Sequence, residues 1–320
     1  MRKAALFYNP LSGRRRDRRL ADVRAASAVL HQAGIEAIAE PTRGQADAAE
    51  QARHAIAQGC DTILACGGDG TAHDVLQGMV GSHAALGIIP LGTANALAHD
   101  LRLPLSAVGA ARALLTAKLR RIALGRVEYT DLEGNRGFRF FTVAAGIGVD
   151  AHLFYKLNPL VKGHLGMAAY YAKATRLWLT HPMEKFAVEV DRDAERNNGQ
   201  GSALQVSQLL AVRIRNFGGV LRELAPGASL DRDDLRMVLF RTSSRWAYLQ
   251  YIIRGLVGAR WRVSGIDLVH SLKIDCQLLG DAAADSRIFV EADGELLGTL
   301  PAAISIVPDA LALLVPAESR

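Results

Sequence analysis

Residues 66–71 read Cys-Gly-Gly-Asp-Gly-Thr and directly follow the mainly apolar run at residues 61–65. Glycine lets a backbone turn sharply and approach a ligand without an intervening Cβ. A strand that ends in such a turn and opens into a helix directs backbone N–H groups at whatever lies above it, which suits a phosphate. The carboxylate of Asp69 lies inside this turn and would repel a bare phosphate. A metal ion or a reacting hydroxyl beside it would account for its presence.

Strand and helix patterns alternate on both sides of this turn. The predicted strands are residues 3–9, 35–39, 62–66 and 86–90. Apolar residues at helical spacing fill the intervals, and Thr42 is expected to cap the second helix. This order predicts a parallel sheet covered by helices, whose ligands bind beyond the carboxyl ends of the strands. The loops expected to share that crevice contain Asn9, Thr42, residues 67–71 and Thr93.

After residue 124 the pattern changes to short strand-like segments separated by Gly, Asp and Asn. These segments are residues 138–143, 186–190, 207–214, 235–240, 271–274 and 287–291. Such spacing predicts a mostly antiparallel, β-rich domain, interrupted by a helical insertion at residues 164–179. We therefore expect two domains, residues 1–124 and residues 125–320, with the extreme C-terminus a candidate to return to the first.

The bulk properties narrow the function classes. The 320 residues carry a formal net charge of +6, and Arg14, Arg15, Arg16, Arg18 and Arg19 follow the first predicted strand. This run either attracts polyanions, such as nucleotide phosphates, anionic lipids or nucleic acid, or is a solvated loop and helix start. The sequence has no apolar stretch of about 18 residues, so no spanning helix is expected. Three cysteines without metal-ligand spacing fit a reducing cytoplasm.

Four motifs stand in a characteristic order. They are residues 9–13 (Asn-Pro-Leu-Ser-Gly), 67–71 (Gly-Gly-Asp-Gly-Thr), 90–95 (Pro-Leu-Gly-Thr-Ala-Asn) and 293–295 (Asp-Gly-Glu). Together they resemble the diacylglycerol kinase catalytic-domain family, which comprises bacterial lipid kinases and is related to the sphingosine and ceramide kinases. The resemblance runs over essentially the whole chain. The glycine turn alone is less specific, because NAD kinases and phosphofructokinases carry similar turns.

The resemblance implies a lipid kinase that uses ATP and Mg²⁺. It implies an α/β nucleotide-binding domain of the NAD kinase/diacylglycerol kinase type and a β-rich, sandwich-like domain for the lipid substrate, with the active site in the cleft between them. Glu295 would accept the proton of the lipid hydroxyl. The residues expected to contact the nucleotide are Asn9, Pro10, Ser12, Gly13, Thr42, Gly67, Gly68, Asp69, Gly70, Thr71, Thr93 and Asn95.

Three carboxylates are the catalytic candidates. Phosphoryl transfer depends mainly on positioning and charge neutralisation, and one carboxylate must orient the attacking hydroxyl. The candidates are Asp69, Asp293 and Glu295. We rank Glu295 first as the base on the resemblance and Asp69 second, since Asp69 can instead hold the catalytic Mg²⁺.

The sequence departs from the family pattern in two places. His73-Asp74 stands where the family usually has Asn-Glu, which puts the contacts of that helix in doubt. Bacterial members often bind a structural Mg²⁺ at a Leu-Asp-Asp-Gly stretch, and here Arg232 stands where they have the metal-binding Asp. A cation at that position opposes a metal. Either the structural metal is absent, or Asp233 or Asp234 takes the ligand's place.

Other functions and partners stay open at this point. The alternatives are a soluble kinase of the NAD kinase type and a catalytically inactive nucleotide- or lipid-binding regulator. Residues 246–256 read either as a core helix with a basic rim or as a segment that makes transient peripheral contact with the inner face of the membrane. No nucleic-acid partner is expected, because the basic run lacks interleaved aromatic residues. The acceptor lipid and the oligomeric state are not predicted.

Overall fold

The computed structural model describes residues 1–10, 16–149, 183–191, 203–218, 223–259, 261–279 and 287–317. Ser12, Gly13 and the helix predicted at residues 164–179 lie outside these ranges. The chain forms two compact units. The first comprises Met1–Leu124, Asn216–Arg222 and Val307–Arg320, and the second comprises Gly125–Arg215 and Glu223–Ile306.

The first unit is built on a parallel sheet. Its strands are β1 (Lys3–Tyr8), β2 (Glu36–Pro41), β3 (Thr62–Gly67) and β4 (Ala85–Pro90), in the order β2-β1-β3-β4. Tyr8 lies opposite Pro41 on one side and Cys66 on the other, and Gly67 lies opposite Pro90. The four carboxyl ends therefore lie along one edge of the sheet, and the predicted parallel sheet is confirmed.

Five helices accompany this sheet. They are α1 (Arg16–Gln32), α2 (Gln45–Ala57), α3 (Asp69–Leu76), α4 (Ala96–Asp100) and α5 (Ala107–Leu115). In α1, Val23, Ala26 and Leu30 are fully buried, whereas Leu20 is exposed. The chain leaves α1 through Gly34, whose φ of 77° favours glycine. The apolar spacing thus predicts the buried stripe of α1, but Leu20 is not part of it.

The predicted helix cap at Thr42 is wrong. Helix α2 begins after Gly44, which makes no side-chain cap. Thr42 instead extends the end of β2, because its backbone N–H donates to the carbonyl of Tyr8 at 2.8 Å. Its hydroxyl lies 3.5 Å from the same oxygen. Thr42 is held to β1 and is too early in the chain to cap this helix.

The second unit is built from antiparallel ladders. Its strands are β5 (Lys118–Thr130, which begins in the first unit), β6 (Arg136–Phe141), β7 (Ala144–Gly148), β8 (Phe186–Val190), β9 (Leu204–Val206), β10 (Gln208–Val212), β11 (Leu235–Phe240), β12 (Ile266–Ser271), β13 (Lys273–Leu278), β14 (Phe289–Ala292) and β15 (Glu295–Val315, which ends in the first unit). One path runs β12-β11-β10-β7-β14 and continues to β15. The hydrophobic core of the second unit contains the fully buried side chains of Phe141, Phe186 and Met237. The antiparallel, β-rich character is as predicted.

The strand predicted at residues 271–274 is wrong. Ser271 ends β12 and Lys273 begins β13, with the exposed Leu272 between them. The hydroxyl of Ser271 lies 2.9 Å from the carbonyl of Asp191 and 2.7 Å from that of Lys273. These side-chain hydrogen bonds stabilise the bend at which the chain passes from one strand to the next.

Helix α6 (Arg245–Val257) lies on the second unit. Tyr248 and Tyr251 are buried and pack against Phe240, with ring centroids at 4.4 and 5.3 Å. The core-helix interpretation is therefore right for this face. The basic rim is not, because Arg254 is buried under the helix at 4% exposure. No helix in the described ranges is long and apolar enough to cross a membrane.

Candidate active site

Two glycine turns meet at the carboxyl edge of the parallel sheet. Gly68 precedes α3, and Gly92 follows β4. A Cβ added to Gly92 would lie 2.3 Å from the Cα of Gly68, closer than real Cβ atoms come to backbone. A Cβ at Gly67 would lie 2.2 Å from the hydroxyl oxygen of Thr71. Glycine is therefore required here for close packing of the two turns.

Asp69 joins these turns through its carboxylate. One oxygen accepts a hydrogen bond from the backbone N–H of Ala96 at 3.1 Å, and the other accepts one from Leu97 at 3.2 Å. Both donors are in the first turn of α4. The N-terminus of a helix favours negative charge and presents unpaired N–H groups. This contact explains a carboxylate inside a phosphate-type turn without requiring a metal ion beside it.

The turn after β4 is closed by its own asparagine. Asn95 has a left-handed backbone with φ of 51°. Its side-chain oxygen accepts from the N–H of Gly92 at 2.9 Å, and its Nδ2 donates to the carbonyl of Gly92 at 3.1 Å. Thr93 is exposed at the tip of the turn. Asn95 therefore shapes the turn, and Thr93 is the predicted contact residue that faces solvent.

Arg19 is a buried residue that the charge pattern misassigns. It belongs to the basic run, yet its side chain is only 3% exposed. Its two terminal nitrogens donate to the carbonyls of Asn9 and Leu91, each at 3.0 Å. The helical spacing holds the missed signal, since Arg19 precedes the buried Val23 by one helical turn. Arg19 thus ties the loop after β1 to the loop after β4.

A short segment from later in the chain joins the first unit beside α4. The N–H of Asn216 donates to the Asp100 carboxylate at 2.8 Å. Gly218 has φ of 77°, and a Cβ there would lie 2.2 Å from the His99 ring.

In the second unit, Asp293 and Gly294, a residue pair typical of hairpin turns, form the turn between β14 and β15. Both have positive φ, 49° and 84°, as a two-residue type I′ connection requires. The carboxylate of Asp293 accepts backbone hydrogen bonds from Thr142 at 3.0 Å, Val143 at 2.9 Å and Ala144 at 3.1 Å. Asp293 therefore anchors the hairpin to the loop before β7.

Two glutamates flank this hairpin. Glu295 is the first residue of β15, lies opposite Ala292 and is half-buried. Glu291 is 4% exposed, and its carboxylate accepts from the N–H of Gly294 at 2.9 Å. Glu291 is not among the three predicted catalytic carboxylates, although its position two residues before an Asp-Gly turn is a local signal in the sequence. Glu291 and Asp293 together fix the backbone on which Glu295 is placed.

The stretch around Arg232 does not fit a structural divalent cation. Arg232 Nε donates to the Asp234 carboxylate at 2.7 Å, and His270 Nδ1 lies 3.2 Å from the same carboxylate. The fully buried Arg213 donates Nη1 to the carbonyl of Arg232 at 2.8 Å and to that of Asp234 at 2.5 Å. Hydrogen-bond donors of the protein thus occupy several oxygens that such a metal would use. In the described part of the chain, no group of three His, Cys, Asp or Glu side chains could hold a metal.

The pKa values of Arg213 and Asp234 both lie below their usual values. Burial lowers the pKa of Arg213 to about 10, against the opposing charges of Asp234 and Asp233. For Asp234 burial acts to raise the pKa, but the hydrogen bond from Arg232 and the nearby His270 outweigh it, so the pKa lies below its usual value. Arg232 and Asp234 therefore form an ion pair at neutral pH.

Two domain profiles match the chain. The diacylglycerol kinase catalytic domain matches residues 3–127, and the YegS C-terminal NAD kinase beta sandwich-like domain matches residues 142–315. A diacylglycerol kinase of Bacillus subtilis (strain 168) is 28% identical over 94% of this chain and 92% of its own length. A diacylglycerol kinase of Staphylococcus haemolyticus (strain JCSC1435) is 31% identical over 75% of this chain and 68% of its own length.

Solved structures share the fold. A diacylglycerol kinase crystal structure from Bacillus anthracis str. Sterne aligns with a TM-score of 0.69 and 18% identity, covering 99% of this chain and 97% of that one. Yeast NADH kinase complexed with NADH aligns with a TM-score of 0.51 and 13% identity, covering 100% of this chain and 84% of that one. At these identities the likeness establishes an NAD kinase-like and diacylglycerol kinase-like fold.

Proposed function

Because the chain belongs to the diacylglycerol kinase catalytic-domain family, we propose that it is a lipid kinase that transfers the γ-phosphate of Mg-ATP to a lipid hydroxyl such as that of diacylglycerol. The observation that carries the nucleotide-binding part of this proposal is the packing of the turns at Gly68 and Gly92, which leaves no room for a Cβ between them. The names of the curated relatives agree with a lipid acceptor. We place the activity in the cytoplasm, at the inner face of the membrane.

The first unit is proposed to bind the nucleotide at the carboxyl edge of its sheet. The turns at residues 67–71 and 91–95 present backbone N–H groups there, and Asn9, Thr42 and Thr93 follow the adjacent strand ends. Backbone amides at such a turn and at the start of α3 suit phosphate oxygens. Arg19 acts by holding two of these loops in register and donates to their carbonyls rather than to the ligand.

Mg²⁺ would neutralise developing charge on the transferred phosphoryl group. This ion is usually held by one or two carboxylates together with substrate phosphates, so a cage of protein ligands is not needed. Asp69 is the carboxylate of the two turns that would serve, since an ionised carboxylate has about four lone-pair sites and two are used by Ala96 and Leu97. The stretch at Arg232 is assigned no metal.

Glu295 is proposed as the base that orients the lipid hydroxyl and accepts its proton. Asp293 is the less suitable base, because its carboxylate already accepts three backbone hydrogen bonds. Its proposed role is to fix the hairpin that carries Glu295. General-base assistance is worth about 10² to 10⁴ in rate.

The test of the base compares Glu295→Gln with Glu189→Gln, an exposed glutamate on β8 of the same unit. We expect turnover of Glu295→Gln to fall at least about a hundredfold and that of Glu189→Gln to stay near wild type. Folding is checked by urea unfolding of each variant. Near-wild-type turnover of Glu295→Gln would remove it as the base.

The test of the acceptor uses labelled ATP with Mg²⁺ and two acceptors in separate reactions. Dioctanoylglycerol tests the lipid kinase, and NAD tests a soluble kinase of the NAD kinase type, whose fold this chain shares. Label in the lipid product supports the proposal. Formation of NADP with no labelled lipid would replace it, and nucleotide binding without transfer to either would indicate a regulator.

A further inference from the structure

Helix α6 carries an exposed apolar stripe on the side opposite its packed face. Trp246, Ile253 and Val257 are spaced by seven and four residues and lie on one side of the helix, with exposures of 64%, 39% and 64%. Ile252 and Leu256 flank them and are also exposed. The described residues place nothing over this stripe. It is a contiguous apolar surface and not a scatter of single side chains.

The chain around this stripe is positively charged throughout. Residues 241–263 contain five arginines and no aspartate or glutamate. A second tryptophan, Trp261, follows the helix and is 46% exposed. Tryptophan and arginine at the ends of an apolar stripe are the residues that membrane interfaces favour, because the rings enter the headgroup region and guanidinium groups meet phosphates.

A groove of about 1030 Å³ opens beside the helix, and three arginines line it. These are Arg236, Arg254 and Arg262. Arg254 is 4% exposed and lies over the ring of Tyr251 at 4.1 Å. Its Nη2 is buried and has no hydrogen-bond acceptor among the residues that the structure describes. A buried guanidinium nitrogen without an acceptor is costly, and an anion in the groove would offset the charge of this guanidinium.

The acidic residues of the groove do not cancel this charge. They are Glu223 and Asp267. Asp267 is engaged by Arg241 at 3.1 Å, on the flank of the groove. Three lining arginines thus face two carboxylates, one of which already pairs with Arg241, and the groove attracts anions.

We propose that the stripe and groove dock the second unit on membranes that contain anionic phospholipid. Trp246, Ile253 and Val257 enter the interface and Arg262 meets lipid phosphates, while the buried Arg254 adds positive charge to the wall of the groove. A second copy of the chain is the less suitable occupant, because two such surfaces face to face would oppose ten arginines with no acid from residues 241–263 between them. Only the purpose of docking rests on the proposed function, because a lipid kinase must reach an acceptor that resides in the membrane.

The test is co-sedimentation of the full chain with sucrose-loaded vesicles, without ATP. One set contains phosphatidylglycerol and phosphatidylcholine at 30:70, and the other contains phosphatidylcholine alone. We expect at least tenfold stronger binding to the anionic set, weakened by salt. The double variant Trp246→Ser/Val257→Ser is expected to lose at least tenfold in binding. Arg262→Gln is expected to lose about fivefold on anionic vesicles only.

The matched control is Leu132→Ser/Leu272→Ser, which removes two exposed leucines of the same unit at 51% and 50% exposure. It should bind like wild type. Equal binding of Trp246→Ser/Val257→Ser and wild type, or equal binding to both vesicle sets, would overturn the proposal. The proposal would also be overturned if the wild-type protein did not bind vesicles but formed a dimer in gel filtration, and the Trp246→Ser/Val257→Ser variant abolished that dimer. Wild-type turnover on dioctanoylglycerol without vesicles is measured separately, so a failed docking site and a failed lipid kinase give different results.

Discussion

Replacing Asp69 with asparagine separates a residue that holds two loops together from one that acts only in chemistry. Its carboxylate accepts the backbone N–H groups of Ala96 and Leu97 at 3.1 and 3.2 Å. Asparagine keeps one acceptor oxygen but points an NH₂ group at the other N–H. The variant therefore loses one hydrogen bond to a charged group, worth about 1.5–3 kcal/mol. Loss of a negative charge in the first turn of α3 adds about 0.3–1 kcal/mol.

We therefore expect the free energy of unfolding to fall by about 2–4 kcal/mol in Asp69→Asn. Asp47 is the matched control, because it is an exposed aspartate in the first turn of α2 and caps no second helix. Asp47→Asn should lose only about 0.3–1 kcal/mol. Urea unfolding, measured without nucleotide or Mg²⁺, gives both values. The reasoning is refuted if the two variants unfold alike while Asp69→Asn alone loses turnover, since Asp69 would then act in chemistry only.

Three further predictions follow from buried groups. Arg19→Met should raise the KM for ATP several-fold and lower the free energy of unfolding by about 1–3 kcal/mol for each of the two carbonyls that it leaves unpaired. Replacement of its exposed neighbour, Arg18→Met, should change neither quantity. Steady-state kinetics and urea unfolding of both variants measure these effects. Arg213→Met should lower the free energy of unfolding by about 2–4 kcal/mol. Added Mg²⁺ should not restore this stability, because the Arg213 guanidinium and not a metal holds the backbone around Arg232. A urea midpoint that returns to the wild-type value when Mg²⁺ is added would contradict this. Burial raises the pKa of the Cys66 and Cys276 thiols. The free energy of unfolding should therefore fall as the pH rises above about 8.5, the pKa of a thiol in the unfolded chain. Urea unfolding at pH 7.5 and 9.5 measures this fall, which should be smaller when both residues are changed to alanine.

The sequence predicts the fold best where local pattern and burial agree. The alternation of strands and helices up to Pro90 and the glycine turns follow from periodicity and from the need for close backbone approach. The Asp293-Gly294 hairpin follows from turn chemistry. These features depend on residues near one another in the chain, so a single sequence contains their signal.

The missed features depend on contacts between distant residues. Arg19 looks like part of a solvated basic run, and only the approach of the loops after β1 and β4 gives its donors two carbonyls. Thr42 has the residue type of a helix cap, but its pairing with Tyr8 decides its position. Asp69 has the residue type of a metal ligand or base, and only the placement of α4 beside it shows that its carboxylate also accepts two backbone N–H groups. Helical spacing indicates that Arg19 lies on the buried face of α1, but no local pattern identifies the partners of these residues.

Mass spectrometry of a total lipid extract, after incubation with ATP, Mg²⁺ and the full chain, tests the central claim most directly. The account predicts that one hydroxyl-bearing lipid class gains a phosphoryl group when incubated with the wild-type protein, and that the same class stays unmodified with Glu295→Gln. An extract that is unchanged by folded, ATP-binding wild-type protein would contradict it.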